Sequence, residues 1–214
     1  MKIVTWNCNG AFRKKHHLLD KYDADLLVIP ECEDPSQSTA EYRKWADNHL
    51  WIGTNKDKGL GVFALKGQRI EMLPWEPGTL QLFLPIRINK EINLLAVWTK
   101  QNGSKHFGYI GQFWKYLQLH EHRFRPDKIL ICGDFNSNAI WHDRECWWNH
   151  LDVIRQLEEM DIISLYHEFF EEEQGRDSQP TLYFRRKNLI IKMLQQQRHT
   201  GMDCRYPAYM EVRL

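Results

Sequence analysis

Three apolar segments of this chain each end directly in asparagine or carboxylate side chains. They are Lys2–Trp6 followed by Asn7, Ala24–Pro30 followed by Glu31, and Asp127–Gly133 followed by Asp134. Short apolar runs bounded by polar residues are typical of buried β-strands. The end of a strand fixes a polar side chain, and the loop that follows can admit a ligand. Each of these strands therefore delivers a polar side chain to a loop that could admit a substrate.

Strand-like and helix-like stretches alternate around these three segments. Further strand-like stretches lie at 50–53, 59–65, 80–88 and 92–98, and helix-like stretches lie at 12–22, 38–48, 109–122 and 151–160. Glycine and proline residues separate the strands, as expected between the strands of hairpins. This order predicts sheets with helices outside them, in a layered α/β or α+β domain.

The bulk properties exclude several classes of protein. The 214 residues suit a single domain, and the net charge of +1 offers no general attraction to nucleic acid. Five cysteines without a CxxC pair argue against a disulfide framework and a structural zinc site. The first residues do not resemble a signal peptide, and no apolar run approaches the ~20 residues of a membrane helix. We expect a cytoplasmic protein whose phosphate affinity, if any, comes from a local site or a metal ion.

Each polar strand end has a simpler interpretation when it is taken alone. Asn7 and Asn9 are common turn formers before a helix, Glu31 suits a solvated loop, and Asp134 with Asn136 suits an Asx turn after Gly133. Carboxylate and amide oxygens are also the ligands that a hard cation such as Mg²⁺ prefers. The individual motifs therefore leave turn chemistry and metal chemistry both open.

Taken together and in order, the three motifs resemble the endonuclease/exonuclease/phosphatase family. They read Trp-Asn-Cys-Asn-Gly, Pro-Glu-Cys-Glu and Gly-Asp-Phe-Asn-Ser-Asn, and the resemblance covers about residues 1–184. It implies a four-layer sandwich of two central, mostly antiparallel β-sheets flanked by helices, with the C-terminal strands incomplete. It also implies hydrolysis of a phosphate ester, in nucleic acid or another phosphodiester, with Mg²⁺ or Mn²⁺ as the cofactor.

The resemblance assigns an expected role to six residues. Glu31 is the principal metal ligand and Asn7 supports the metal site. Asp134 orients or deprotonates the attacking water, and Asn136 holds a phosphate oxygen. Asn9 and Trp98 are expected to contact the substrate. Trp98 stands where the family often has tyrosine or histidine, and because an indole cannot exchange a proton, packing is the alternative to substrate contact.

The last part of the chain departs from the family pattern. No Ile-Asp-Tyr follows Phe184, and none of the ten histidines directly follows an aspartate, so the family's Asp-His pair is missing. His199 and Asp203 are weak candidates to replace it. We expect one domain at 1–184 and a divergent tail of uncertain structure at 185–214, which we do not expect to form two regular core strands. A shifted reading frame or a truncation near residue 187 is one hypothesis for this tail.

Three functional hypotheses follow from these residues. The first is an active metal-dependent phosphodiesterase, and the second is an impaired remnant that binds metal or phosphate but turns over poorly. The third is a non-enzymatic interaction protein, whose tryptophan-rich surface binds a partner and whose asparagine and aspartate residues form plain turns. The substrate and the oligomeric state are open at this point.

Overall fold

The computed structural model describes residues 1–103, 107–124, 129–141 and 148–179, together with the backbone of three strands at 183–186, 189–192 and 208–211. The remaining residues of the predicted tail lie outside the described part of the chain.

The described strands form two main sheets. In chain order they are β1 (Lys2–Thr5), β2 (Leu26–Cys32), β3 (His49–Asn55), β4 (Lys58–Ala64), β5 (Ile70–Met72), β6 (Phe83–Ile88), β7 (Ile92–Trp98), β8 (Ile129–Asp134), β9 (Tyr183–Arg186), β10 (Leu189–Lys192) and β11 (Ala208–Glu211). The first sheet has the order β11-β1-β2-β4-β3, the second has the order β5-β6-β7-β8, and β9 pairs with β10. Among these pairs β1–β2 and β7–β8 are parallel and the others are antiparallel, which confirms the predicted mostly antiparallel sheets.

The helices cover the outer faces of the two sheets. The α-helices are α1 (Ala40–Trp45), α2 (Ile110–Phe124), α3 (His150–Glu158) and α4 (Leu165–Phe170), and 3-10 helices occupy Phe12–Lys14, His16–Tyr22, Pro35–Gln37 and Ala139–Trp141. The single helix predicted over 12–22 is thus two 3-10 segments. Lys15 lies between them, and its Nζ donates hydrogen bonds to the carbonyls of Cys8 and Gly10. Within the described ranges, no helix has the length and apolar character needed to cross a membrane.

Three apolar clusters show how the layers pack. The cluster between the sheets contains residues such as Leu26 and Val28 of β2 and Leu94 and Ala96 of β7. Because successive side chains of a strand point to opposite faces, the intervening residues, such as Leu27, pack outward. Outer clusters join the first sheet to the 3-10 helices and α1, and the second sheet to α2 and α3. The arrangement is the predicted four-layer sandwich.

One strand of the C-terminal tail joins a main sheet. Residues 208–211 form β11, which pairs antiparallel with β1 from Lys2↔Glu211 to Thr5↔Ala208. The tail was not expected to supply two regular core strands, and among the described residues it supplies one strand, β11, to a main sheet. Its pairing depends on the free edge of β1, a long-range property that the local sequence pattern does not carry. The domain boundary at 184/185 stays a prediction, and β9 runs across it.

Candidate functional site

The first polar motif continues alongside β2 after β1 has ended. Backbone hydrogen bonds run from Trp6 to Val28, from Cys8 to Pro30 and from Gly10 to Glu31. Trp6 and Cys8 pack into the outer apolar cluster of the first sheet. Since side chains alternate along an extended segment, Asn7 is presented on the opposite side, toward the second sheet.

Asn7 connects the two carboxylates of the predicted site. Its Nδ2 donates to Oε1 of Glu31 at 3.2 Å and to Oδ2 of Asp134 at 2.6 Å. Its Oδ1 accepts a hydrogen bond from the backbone N–H of Asn9 at 3.0 Å. The amide therefore brings together the ends of β1, β2 and β8, as the three motifs predicted.

Glu31 lies at an irregular point near the end of β2. The pairing of β2 with β4 shifts between Pro30 and Cys32, and Glu31 between them has a φ of 64°, in the left-handed region. Such a backbone is uncommon outside glycine and is often found at functional positions. Oε2 of Glu31 forms an ion pair with Nζ of Lys58 at 2.6 Å, and the glutamate side chain is 17% exposed.

Asp134 is the last residue of β8 and pairs in register with Trp98 of β7. Its Oδ1 accepts a hydrogen bond from the backbone N–H of Asn136 at 2.9 Å. Burial raises the pKa of this carboxyl above its usual value, against the opposing effect of hydrogen bonds from Asn7 and Asn136. Only glycine fits at position 133, because its φ is 140° and a Cβ there would lie 1.9 Å from the carbonyl oxygen of Val97.

Asn136 is exposed at the start of the loop after β8 and also has a left-handed backbone, with φ at 46°. Its Nδ2 donates to the carbonyl of Thr99 at 2.8 Å. The hydroxyl of Thr99 in turn donates to the carbonyl of Phe135. The Asn136 side chain also forms a hydrogen bond with the Asp134 carboxylate, so Thr99 and Asp134 together hold this amide.

The two predicted substrate contacts have different surroundings. Asn9 is exposed beside the site and holds Asn7 through its backbone N–H. Trp98 is 5% exposed and packs in the cluster between the sheets, with Nζ of Lys100 5.3 Å from its ring centroid. This burial agrees with the packing alternative for Trp98, and substrate contact by either residue stays a prediction.

Several residues around the site were not singled out from the sequence. Lys58 contacts Glu31, and Thr99 holds Asn136. Farther along the same loop, Nδ2 of Asn138 donates to Oδ2 of Asp177 at 3.0 Å, and Oδ1 of Asp177 lies 2.7 Å from Nε2 of His167. These residues are brought to the loop by folding, and no local motif marks them.

The donor set fits a hard divalent cation bound mainly by water and substrate. Among the described residues, no group of three or more histidine, cysteine, aspartate or glutamate side chains could hold a metal ion. Mg²⁺, however, usually keeps several waters and takes one or two carboxylates together with phosphate oxygens. Glu31 supplies a carboxylate at the meeting point of the sheets, and the NH₂ group of Asn7 holds that carboxylate in place. This chemistry suits Mg²⁺ or Mn²⁺ and not a site of the zinc type.

Comparisons with known proteins identify the architecture. Neither a model of a known protein family nor a curated protein matches the sequence. The structure is similar to a 3′-5′ exonuclease from Neisseria meningitidis, with a TM-score of 0.62 and 19% identity over 88% of this chain and 80% of that one. An AP endonuclease from Archaeoglobus fulgidus gives a TM-score of 0.56 at 17% identity, over 88% of this chain and 79% of the other.

A further similar structure is the endonuclease domain of TRAS1, a telomere-specific non-LTR retrotransposon, with a TM-score of 0.56 at 14% identity, over 89% of this chain and 80% of that domain. At such identities the similarity establishes the fold and leaves the activity to be argued from the site. The layered sheets and these structural similarities together confirm the resemblance at the level of architecture: the chain has the fold of the endonuclease/exonuclease/phosphatase family.

Proposed function

We propose that this protein is a divalent-metal-dependent phosphodiesterase, with Mg²⁺ or Mn²⁺ as its cofactor. The observation that carries the proposal is the contact of the Asn7 amide with both Glu31 and Asp134, one from each sheet. Side chains that only stabilise turns would each form hydrogen bonds within their own loop. These three side chains instead converge on one point, as a site for a reacting group requires.

Glu31 would hold the metal ion, and Asn7 would support the metal site through its hydrogen bond to the Glu31 carboxylate. A bound divalent ion supplies neutralisation of the negative charge on the phosphate oxygens. The left-handed backbone at Glu31 and the hydrogen bond from the Asn9 backbone to Asn7 fix the positions of the carboxylate and of the amide that holds it.

Asp134 and Asn136 would act on the reacting groups. The Asp134 carboxylate accepts a hydrogen bond from the attacking water and orients it toward phosphorus. Thr99 holds the Asn136 amide beside Asp134, and because Asn136 is exposed, its NH₂ group can donate to a phosphate oxygen of a bound substrate. We propose nucleic acid as the first substrate class to test, because similar structures include a 3′-5′ exonuclease and an AP endonuclease.

The alternative is a protein that binds metal or phosphate without efficient turnover. One observation favours it: the sequence contains no histidine directly after an aspartate. The sequence therefore lacks the adjacent Asp-His pair that the family resemblance implies. The loss of this pair would lower turnover rather than binding.

The test is a panel of end-labelled single-stranded DNA, double-stranded DNA and RNA, with bis(p-nitrophenyl) phosphate as a generic phosphodiester. We expect cleavage with Mg²⁺ or Mn²⁺, none with EDTA, and loss of cleavage in Glu31→Gln. Glu41→Gln is the matched control, since Glu41 is exposed on α1. Metal binding without cleavage of any substrate would favour the alternative. The absence of both metal binding and cleavage would refute the proposed function and the alternative.

A further inference from the structure

The carboxylate of Glu31 is already neutralised by a cation of the protein itself. Lys58 is the first residue of β4, next to the end of β2, where Cys32 pairs with Gly59. Its ammonium lies 2.6 Å from Oε2 of Glu31, while Oε1 accepts the hydrogen bond from Asn7. Both oxygens of the predicted metal ligand are therefore engaged.

The partners of Glu31 differ in kind from those of its neighbour Glu33. Glu33 is 5% exposed and accepts hydrogen bonds from the backbone N–H groups of Phe12 and Arg13, as well as an ion pair from the Arg13 guanidinium. Backbone donors cannot leave without a change of fold, so Glu33 holds the loop. The partners of Glu31 are two side chains, which can turn away by changing rotamer.

We propose that Lys58 is an internal counter-ion that occupies Glu31 and must be displaced when a divalent cation binds there. The inference rests on the proposed function, which makes Glu31 the metal ligand. Two cations near one carboxylate repel each other, so the ammonium and the metal ion compete for it. Lys58 is 48% exposed, and the displaced ammonium can therefore be solvated by water at little cost.

This role has a consequence that a purely structural ion pair would not have. If Lys58 competes with the metal, removing its charge strengthens metal binding. If the pair instead holds Glu31 in the geometry that the metal needs, removing it weakens metal binding. The sign of the change separates the two roles without any measurement of activity.

The experiment is a calorimetric titration of the full chain with Mn²⁺, in the absence of substrate. We expect Lys58→Met to bind Mn²⁺ about three- to tenfold more tightly than the wild type, because both the competition and the repulsion are removed. Lys56→Met is the matched control. Lys56 lies in the same hairpin but pairs with Asp57, and both side chains are exposed, so its effect should stay below about twofold.

Thermal melting without metal checks that each variant is folded, and Lys58→Gln replaces Lys58→Met if the latter is not. Unchanged or weaker Mn²⁺ binding in the Lys58 variant would overturn the inference. If binding in the Lys58 variant is unchanged or weaker while the wild type binds Mn²⁺ and Glu31→Gln does not, the counter-ion role alone is overturned and the proposed function stands. Absence of Mn²⁺ binding in both the wild type and the Lys58 variant would overturn the counter-ion role and the metal role of Glu31 together.

Discussion

Glu31 and Asp134 meet at one amide but have opposite surroundings. Glu31 comes from the first sheet, is paired with the Lys58 ammonium and keeps 17% of its side chain exposed. Asp134 comes from the second sheet and is held by neutral donors, the Asn7 amide and the backbone N–H of Asn136. Glu31 therefore sits where a cation is already accommodated, and Asp134 sits where burial raises the pKa of the carboxyl.

The glycines next to the two carboxylates also differ in how closely they are packed. Gly10, in the loop beside Glu31, has a φ of 75° and no atom within 4 Å of the position of an added Cβ. Gly133, before Asp134, is packed directly against the carbonyl of Val97. There is thus open space at Gly10, while Gly133 is fixed by the contact of β8 with β7. Two acids of one site can take different tasks because their surroundings differ.

The largest expected effect separates the two carboxylates by function. Asp134→Asn should lower the rate of phosphodiester cleavage by about 10²–10⁴, the usual contribution of a positioned acid or base, while Mn²⁺ binding stays near wild type. Glu31→Gln should lose both. Calorimetric Mn²⁺ titration beside the cleavage assay measures the two properties independently.

Asp57→Asn is the control for this pair of variants, because Asp57 is an exposed carboxylate on the hairpin that bears Lys58. It should leave both properties unchanged. Equal loss of Mn²⁺ binding in Asp134→Asn and Glu31→Gln would remove the distinction between the carboxylates and make both of them metal ligands.

A smaller effect is expected from the two glycines. Gly133→Ala should destabilise the fold by about 3 kcal/mol, because the methyl group meets the Val97 carbonyl and the backbone is strained for any side chain. In a chain of this size that corresponds to a melting temperature about 6–12 °C lower. Gly10→Ala has open space and a strained φ only, so about 1 kcal/mol is expected. Melting curves of both variants check this, and equal shifts would show that the two sides are equally constrained.

Much of the fold could be predicted from the sequence because its strands are covered on both faces. The run at Ile92–Trp98 is apolar at nearly every position, so its pattern alone gives the bounds of β7. The segment at 12–22 was less predictable. The position of the lysine between its two 3-10 helices is set by hydrogen bonds to the loop after β1 and not by helical periodicity. The pairing of β11 with β1 is still harder to predict from the sequence, because it depends on residues at opposite ends of the chain.

Some residues of the candidate site could likewise be predicted from the sequence, and others could not. Asn7, Glu31 and Asp134 could be placed together because each stands at a strand end within an ordered set of motifs. Lys58 and Thr99 reach the site from strands whose sequences carry no polar motif. Asp177 binds Asn138 from 39 residues away, through a loop contact that only the folded chain creates. Residues that support a site from another element have no sequence spacing to reveal them.

The smallest expected effect concerns the loop after Asp134, which depends on a histidine. Nδ1 of His150 lies 3.1 Å from the hydroxyl of Ser137, and burial lowers the pKa of this histidine from 6.5, despite the opposing influence of Gln174 and Asp177. The folded protein therefore binds this proton less readily than the unfolded chain. The stability that His150 contributes is present above about pH 6.5 and is lost as the pH falls toward the lowered value.

Replacing His150 with glutamine keeps a hydrogen-bonding side chain and removes the titration. Between about pH 7.5 and pH 5.5, the wild type should lose up to about 1 kcal/mol through this group, or about 2–4 °C in melting temperature. His150→Gln should show a correspondingly smaller drop, whereas His122→Gln, at an exposed position on α2, should not. Scanning fluorimetry across this pH range makes the measurement. The loop at 7–10, which follows β1, is held by Lys15 and contains no histidine. An identical drop in melting temperature in His150→Gln and in the wild type would show that the pH sensitivity arises outside the Asp134 side of the site.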